Sequence, residues 1–324
     1  FPYTTLFRSV MIRRGLTTHK GIHKYLYGKY EDLYDPFLFP DMLMAATRLI
    51  QASKRKERVM IHGDYDCDGI TASAMMKIVC ECMGIPAEVF IPTRALGYGL
   101  SQKAIKEIIQ KDIKVLVTCD CGSNAHRALS IARKAGIDII VTDHHHFDKR
   151  PKVLAFLNPT EPYYPFAELC GAGVVLKLIQ ALERLTGRIT ADCVLDLAAL
   201  GTVADAVPLI DENRIIVKEG LKKMSCTSNI GLYHLIKASS LLGHKIDTEM
   251  VGFILAPKIN APGRIDDPRK SLDLLLESDN IKAEAMAKEL VRINRKRQKI
   301  NSEIRDEAIE MVEKDYKNDK FLVL

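Results

Sequence analysis

From residue 58 onward, short apolar runs alternate with longer stretches whose apolar positions recur every three or four residues. The runs at 58–62, 87–91, 114–118, 137–142 and 153–157 are rich in Val and Ile and predict strands, and the stretches at 71–83, 102–110 and 125–135 predict helices between them. Continuous apolar runs, as opposed to alternating ones, belong to strands covered on both faces, and helical crossovers of this length join parallel neighbours. The pattern predicts an α/β fold: a parallel β-sheet flanked by helices. In such sheets ligands bind beyond the carboxyl ends of the strands, so chemistry is sought immediately after each run.

Beyond residue 159 the pattern turns helical, with helices expected at 169–185, 191–200, 212–224, 230–240 and 249–256. A densely charged helix is expected from 280 to about 314, carrying Arg292, Arg295, Lys296, Arg297 and Lys299. Its length is unusual inside one domain and predicts a connecting helix. Residues 1–9 lack an initiator methionine and resemble a translated sequencing adapter, an artefact to be excluded from fold reasoning. The expected organisation is then an N-terminal segment at 10–57, a sheet domain at 58–159 and a mostly helical part at 160–279. The connecting helix at 280–316 and the start of a truncated further domain at 317–324 complete it, the last on the strand-like run at 321–324.

Composition changes little. Apolar residues make up 47% and charged residues 27%, as in soluble globular proteins, and the formal charge of +6 permits a polyanionic partner without demanding one. No apolar run reaches 18 residues and no leader-like segment opens the chain, so neither a membrane span nor secretion is expected. Eight cysteines include two Cys-x-Cys pairs, whose gap is too short for a zinc knuckle. A reduced, cytoplasmic protein is expected.

Four polar strings interrupt the apolar pattern at strand ends or inside an apolar stretch. His62-Gly63-Asp64-Tyr65-Asp66-Cys67-Asp68-Gly69 places three acids in alternation after the first run. Carboxylates this close repel unless a cation neutralises them; the bland alternative is a solvated turn. Asp120 follows the third run, and Asp143-His144-His145-His146 ends the fourth, where imidazole is a good transition-metal ligand. Asp205 interrupts the apolar stretch 200–209, where an ionised acid needs a partner.

With Cys-Gly-Ala-Gly-Val at 170–174, Gly-Thr-Val-Ala-Asp-Ala-Val-Pro-Leu at 201–209 and Ile-Asn-Ala-Pro-Gly-Arg at 259–264, these strings resemble the DHH phosphoesterase superfamily, specifically its RecJ branch of single-strand-specific exonucleases. The resemblance covers nearly all of 30–324; Cys67, Cys121 and Pro262 depart from it without removing a ligand, and His146 gains no role. It implies two divalent cations, Mn²⁺ preferred with Mg²⁺ as the alternative, bridged by Asp120. One would take Asp66 with His62 or Asp64, and the other Asp68, His144 and Asp205. It assigns His145 to the phosphate or to proton transfer and Arg264 to a phosphate clamp. Asn260, Gly263, Arg94 and Tyr98 would lie along the substrate. The implied reaction is hydrolysis of single-stranded DNA from its 5′ end, in the company of DNA-repair proteins. The alternatives are an oligoribonuclease or cyclic-dinucleotide phosphodiesterase, a pyrophosphatase, or a non-catalytic binding protein of the same fold.

Overall fold

The computed structural model describes residues 5–94, 97 and 99–315; Tyr98 and the strand expected at 321–324 lie outside them. The five expected strands form one all-parallel sheet: β1 (Val59–Gly63), β2 (Ala87–Phe90), β3 (Val115–Cys119), β4 (Asp138–Thr142) and β5 (Ala155–Leu157). Their order is β2-β1-β3-β4-β5, with Ile61 opposite Val117 and Val117 opposite Ile140. β1 and β3 are buried at every position, as continuous apolar runs require. The chain passes from β1 to one side of the sheet and from β3 to the other. The switch point between them opens a crevice at the carboxyl ends.

α1 (Thr5–Arg13), α2 (His19–Tyr27) and α3 (Met42–Arg55) precede β1, and α4 (Cys67–Cys82) follows it. α5 (Gln102–Ile109) and α6 (His126–Lys134) bury Ile105, Ile108, Leu129 and Ala132 against Met60, Leu116, Ile139 and Phe156 on one face of the sheet. The other face carries Val59, Ile61, Val117 and Ile140 and is covered by α3, α4 and α7 (Gly171–Thr186). α3 was not anticipated, although Met42, Ala45, Ala46, Leu49 and Ala52 keep helical spacing and are buried.

The helical layer continues with α8 (Leu195–Ala204), α9 (Asp211–Met224), α10 (Ile230–Ala238) and the short α11 (Thr248–Met250). A π turn (Val251–Leu255) leads into α12 (Ala256–Ile265), followed by α13 (Arg269–Leu276) and α14 (Asn280–Asp315). Three expectations are corrected. The helix expected at 191–200 divides into a 3₁₀ turn (Ala191–Val194) and α8; the one expected at 249–256 runs on to Ile265 with Pro262 inside it; α13 was not expected. α14 is not a bare connector, because Ala283, Ala287, Leu290 and Ile293 of its first half are buried against the helical layer. Among the described residues no helix is long and apolar enough to cross a membrane, and all eight cysteines are free.

Candidate metal centre

The segment after β1 turns directly into a helix. Asp66, in extended backbone, caps α4 by accepting from Gly69 N at 3.0 Å, so Asp68 lies in the first helical turn and not in a loop. The Asp68 carboxylate is buried and accepts the Gly171 and Ala172 amides at 2.6 and 2.9 Å. It therefore sits between the N-termini of α4 and α7, where helix dipoles favour negative charge. This closeness needs glycine. A Cβ at Gly171 would lie 2.5 Å from Asp120 Cβ, and one at Gly201 on α8 would lie 2.8 Å from Asp68 Oδ1.

Asp120 follows β3 at the switch point with φ 61°, a left-handed conformation that aspartate tolerates better than most residues. His144 follows β4, and its Nε2 lies 3.2 Å from Asp120 Oδ1, 3.6 Å from Asp205 Oδ2 and 3.9 Å from Asp68 Oδ2. Asp205 arrives from the end of α8. Three overlapping groups result: Asp64, Asp66 and Asp120; Asp68, His144 and Asp205; and Asp120, His144 and His145. Within each, ligand atoms stand within 4.8 Å of one another. Asp120 and His144 each belong to two of them.

Burial, and then the neighbouring acids, push the Asp64 carboxyl up to about 7; the same causes push Asp205 up to about 7. Asp68 and Asp120 are also raised, by burial first, and burial lowers His144. Asp64 Oδ1, Asp120 Oδ1 and His144 Nε2 are buried without a hydrogen-bond partner. Buried polar atoms rarely go unsatisfied, and acids that cannot all ionise together call for a shared cation. The donor set of carboxylates with one or two imidazoles fits a divalent ion of the manganese type.

The remaining expected residues divide. His62 is fully buried, its ring stacked on Phe90 and its Nδ1 3.6 Å from Cys121 Sγ, and burial lowers it to about 4. It joins none of the three groups, whereas Asp64 does. His145 joins the third group, its Nδ1 3.8 Å from Asp120 Oδ1. Arg94 reaches the α12 segment, its Nε donating to Gly263 O at 3.1 Å and its guanidinium lying over Tyr65. Gly263 packs against the Tyr65 carbonyl, which a Cβ would meet at 2.8 Å, so its close approach is to this backbone. Asn260 keeps its Oδ1 buried without a partner on α12. Arg264 is exposed and has no carboxylate partner among the described residues; Arg297 of α14 is lowered by burial and then by Arg264's charge. His146 lies on the surface, 3.8 Å from Asp148.

Two contributions had no assigned role in the sequence. Asp143 accepts from His145 Nδ1 at 2.7 Å, from His144 N at 2.8 Å and from Ser123 N at 2.8 Å. Burial alone would raise it, but the bonds from His145 and Ser123 hold it below the usual range, and in turn its carboxylate raises His145. The Gly171 and Ala172 amides that clasp Asp68 are the other. An acid directly before paired histidines at a strand end was the available signal for the first; the second is a tertiary contact.

The family described as "DHH family, N-terminal domain" matches residues 58–202. The single-stranded-DNA-specific exonuclease RecJ of Bacillus subtilis (strain 168) is 40% identical over 314 residues, 96% of this chain and 39% of the relative. A crystal structure of exonuclease RecJ bound to manganese superposes with a TM-score of 0.77 at 35% identity, covering 81% of this chain and 68% of that one. RecJ from Thermus thermophilus in complex with Mn²⁺ also gives 0.77, at 31% identity over 91% of this chain and 42% of that one. The chain spans between 39% and 56% of the length of the first two curated relatives.

Proposed function

This chain belongs to the RecJ branch of the DHH family, and on that premise we propose that it is the catalytic core of a metal-dependent exonuclease acting on single-stranded DNA from the 5′ end. The observation that carries the proposal is the overlap of three ligand groups on Asp120 and His144 at the carboxyl ends of β1, β3 and β4. Asp64, Asp66 and Asp120 would hold one divalent ion, and Asp68, His144 and Asp205 with Asp120 the other, manganese by the mixed imidazole and carboxylate donors, with magnesium as the alternative. When bound, such a pair supplies the positive charge that activates water and offsets charge on the phosphate.

The chain's own residues do the rest. Asp143 holds the His145 ring through Nδ1 and keeps it protonated at higher pH than a free imidazole, so His145 can give a proton to a phosphate oxygen. Arg264, exposed and without a carboxylate partner among the described residues, offers a planar fork to two phosphate oxygens. Arg94 is positioned by Gly263 O and the Tyr65 ring at the same edge. The deciding experiment incubates the chain with Mn²⁺ and single strands labelled at either end. Mononucleotides released first from the 5′ end are the expected result; release only from dinucleotides would favour the small-substrate phosphodiesterase instead.

A further inference from the structure

One flank of the molecule carries cations that the reaction above does not use. α6 and the segment between β4 and β5 enclose a cavity of about 230 Å³ lined by His126, Ser130, Arg133, Lys149 and Lys152. Arg150 also lines it but is committed elsewhere, its guanidinium bound to Glu161 at 2.6 Å and Asp41 at 2.5 Å. His126, Arg133, Lys149 and Lys152 have neither a carboxylate partner nor a side-chain hydrogen bond among the described residues. Asp148, the acid nearest in sequence, lies by His146. Three fixed positive charges around one cavity repel one another, so the site suits an anion.

The cavity is not isolated. Through His126 it shares its lining with a second cavity of about 430 Å³, which includes Gln102, Asn124 and Arg127. That one shares Leu100, Asn124 and Ala125 with a third, of about 290 Å³, which reaches Asp143 and His145. A groove therefore runs from the catalytic histidine down α6, a helix of nine residues and about 13 Å. No Phe or Tyr lines the cationic end, so it has no platform on which a base could stack.

We propose that this groove is a phosphate track, and that Arg133, Lys149 and Lys152 hold a backbone phosphate of the same strand whose scissile bond lies at the metal centre. The proposal rests on the exonuclease reading and names where its substrate runs. Continuity with the site and the missing base platform favour a strand over a free nucleotide.

The test compares the wild-type chain with R133Q/K149Q/K152Q, all exposed positions. Binding of a labelled 15-nucleotide single strand is read by anisotropy in EDTA across salt concentrations, with competition by a deoxynucleoside monophosphate. Dinucleotide hydrolysis is read with Mn²⁺. The variant should bind the strand roughly tenfold more weakly at low salt. Its log–log salt slope should be shallower by about 0.7, the value for the one single-strand phosphate that the variant leaves unneutralised. Dinucleotide turnover should stay within twofold. Unchanged strand affinity and slope would overturn the track, as would a wild-type chain that binds no strand. Loss of mononucleotide binding alone would overturn it in favour of a product site. Should the wild-type chain cleave nothing, the catalytic reading fails by itself, because the binding arm needs no turnover.

Discussion

Two of the buried charged clusters among the described residues are finished in opposite ways. Lys177 of α7 and Glu212 of α9 are both fully buried, with Nζ 2.9 Å from Oε1. Every strong group there has a mate: Lys177 also donates to Tyr34 O at 2.6 Å, and Glu212 accepts from Tyr34 N at 2.8 Å and from the Tyr164 hydroxyl. The cluster at the switch point leaves Asp64 Oδ1, Asp120 Oδ1 and His144 Nε2 without a hydrogen-bond partner. A closed network fixes a structure; an open one awaits something it does not contain.

The sharpest way to break that contrast is to close the open cluster. Asp120→Asn keeps the left-handed backbone tolerable and removes the shared charge, so Mn²⁺-dependent hydrolysis should fall by on the order of a thousandfold. In EDTA near pH 8 the same variant should unfold at higher temperature than wild type, because a crowded acid is gone. Scanning calorimetry beside the activity assay checks both; a variant that loses stability together with activity would make Asp120 a structural residue. The mirror experiment opens the closed cluster. Glu212→Ala leaves Lys177 buried and uncompensated and should cost about 3–5 kcal/mol of stability by urea unfolding, with little change in turnover per folded molecule. The pair replacement K177M/E212L should recover much of that loss.

Smaller effects sharpen the comparison. Asp143→Asn should lower turnover roughly 10- to 100-fold, since it orients His145 without touching the reacting atoms directly, and should move the His145 limb of the pH–rate profile downward. The smallest effect is on stability with pH. Asp64 and Asp205 are raised to about 7 in the fold, so it binds more protons than the unfolded chain between the ordinary carboxylate range and neutrality. Their contribution is complete at low pH and lost as pH rises toward 7 and beyond. The unfolding temperature in EDTA should therefore decline by several degrees between about pH 5 and pH 8. Saturating Mn²⁺ should abolish the decline, because the ion takes the place of the protons.

Much of this centre could be read from residue order, because a parallel sheet forces ligands to its strand ends and the acids stand there. Asp66, Asp68, Asp120 and His144 stood out as candidates by the position of each apolar run, and the resemblance then implied them as ligands. His62 ends the same strand, but its ring stacks on Phe90 beside Cys121, outside the three groups of ligand atoms, and its Nε2 is buried without a hydrogen-bond partner. What stayed hidden depends on contacts between distant segments. The clasp of Asp68 by Gly171 and Ala172 spans more than a hundred residues, and the continuation of α12 through Pro262 is stabilised by tertiary packing that propensity does not report. α13, with Leu272, Leu274 and Leu275 buried, was too short and too close to Pro268 to signal a helix.

The closed cluster also bears on the order in which the chain acquires its structure. Lys24 meets Asp211 across 187 residues, Tyr34 meets Glu212 across 178 and Lys177 meets Tyr34 across 143. Such contacts close very long loops, whose entropy must be overcome before they return any stability. On a ribosome that makes the N-terminus first, α2 and the Tyr34 segment emerge early and find no acceptor until α9 has left the exit tunnel. The segment from α2 to Tyr34 therefore completes its contacts only after α9 is made, and Glu212→Ala should show itself in kinetics mainly as faster unfolding, with the refolding rate nearly unchanged.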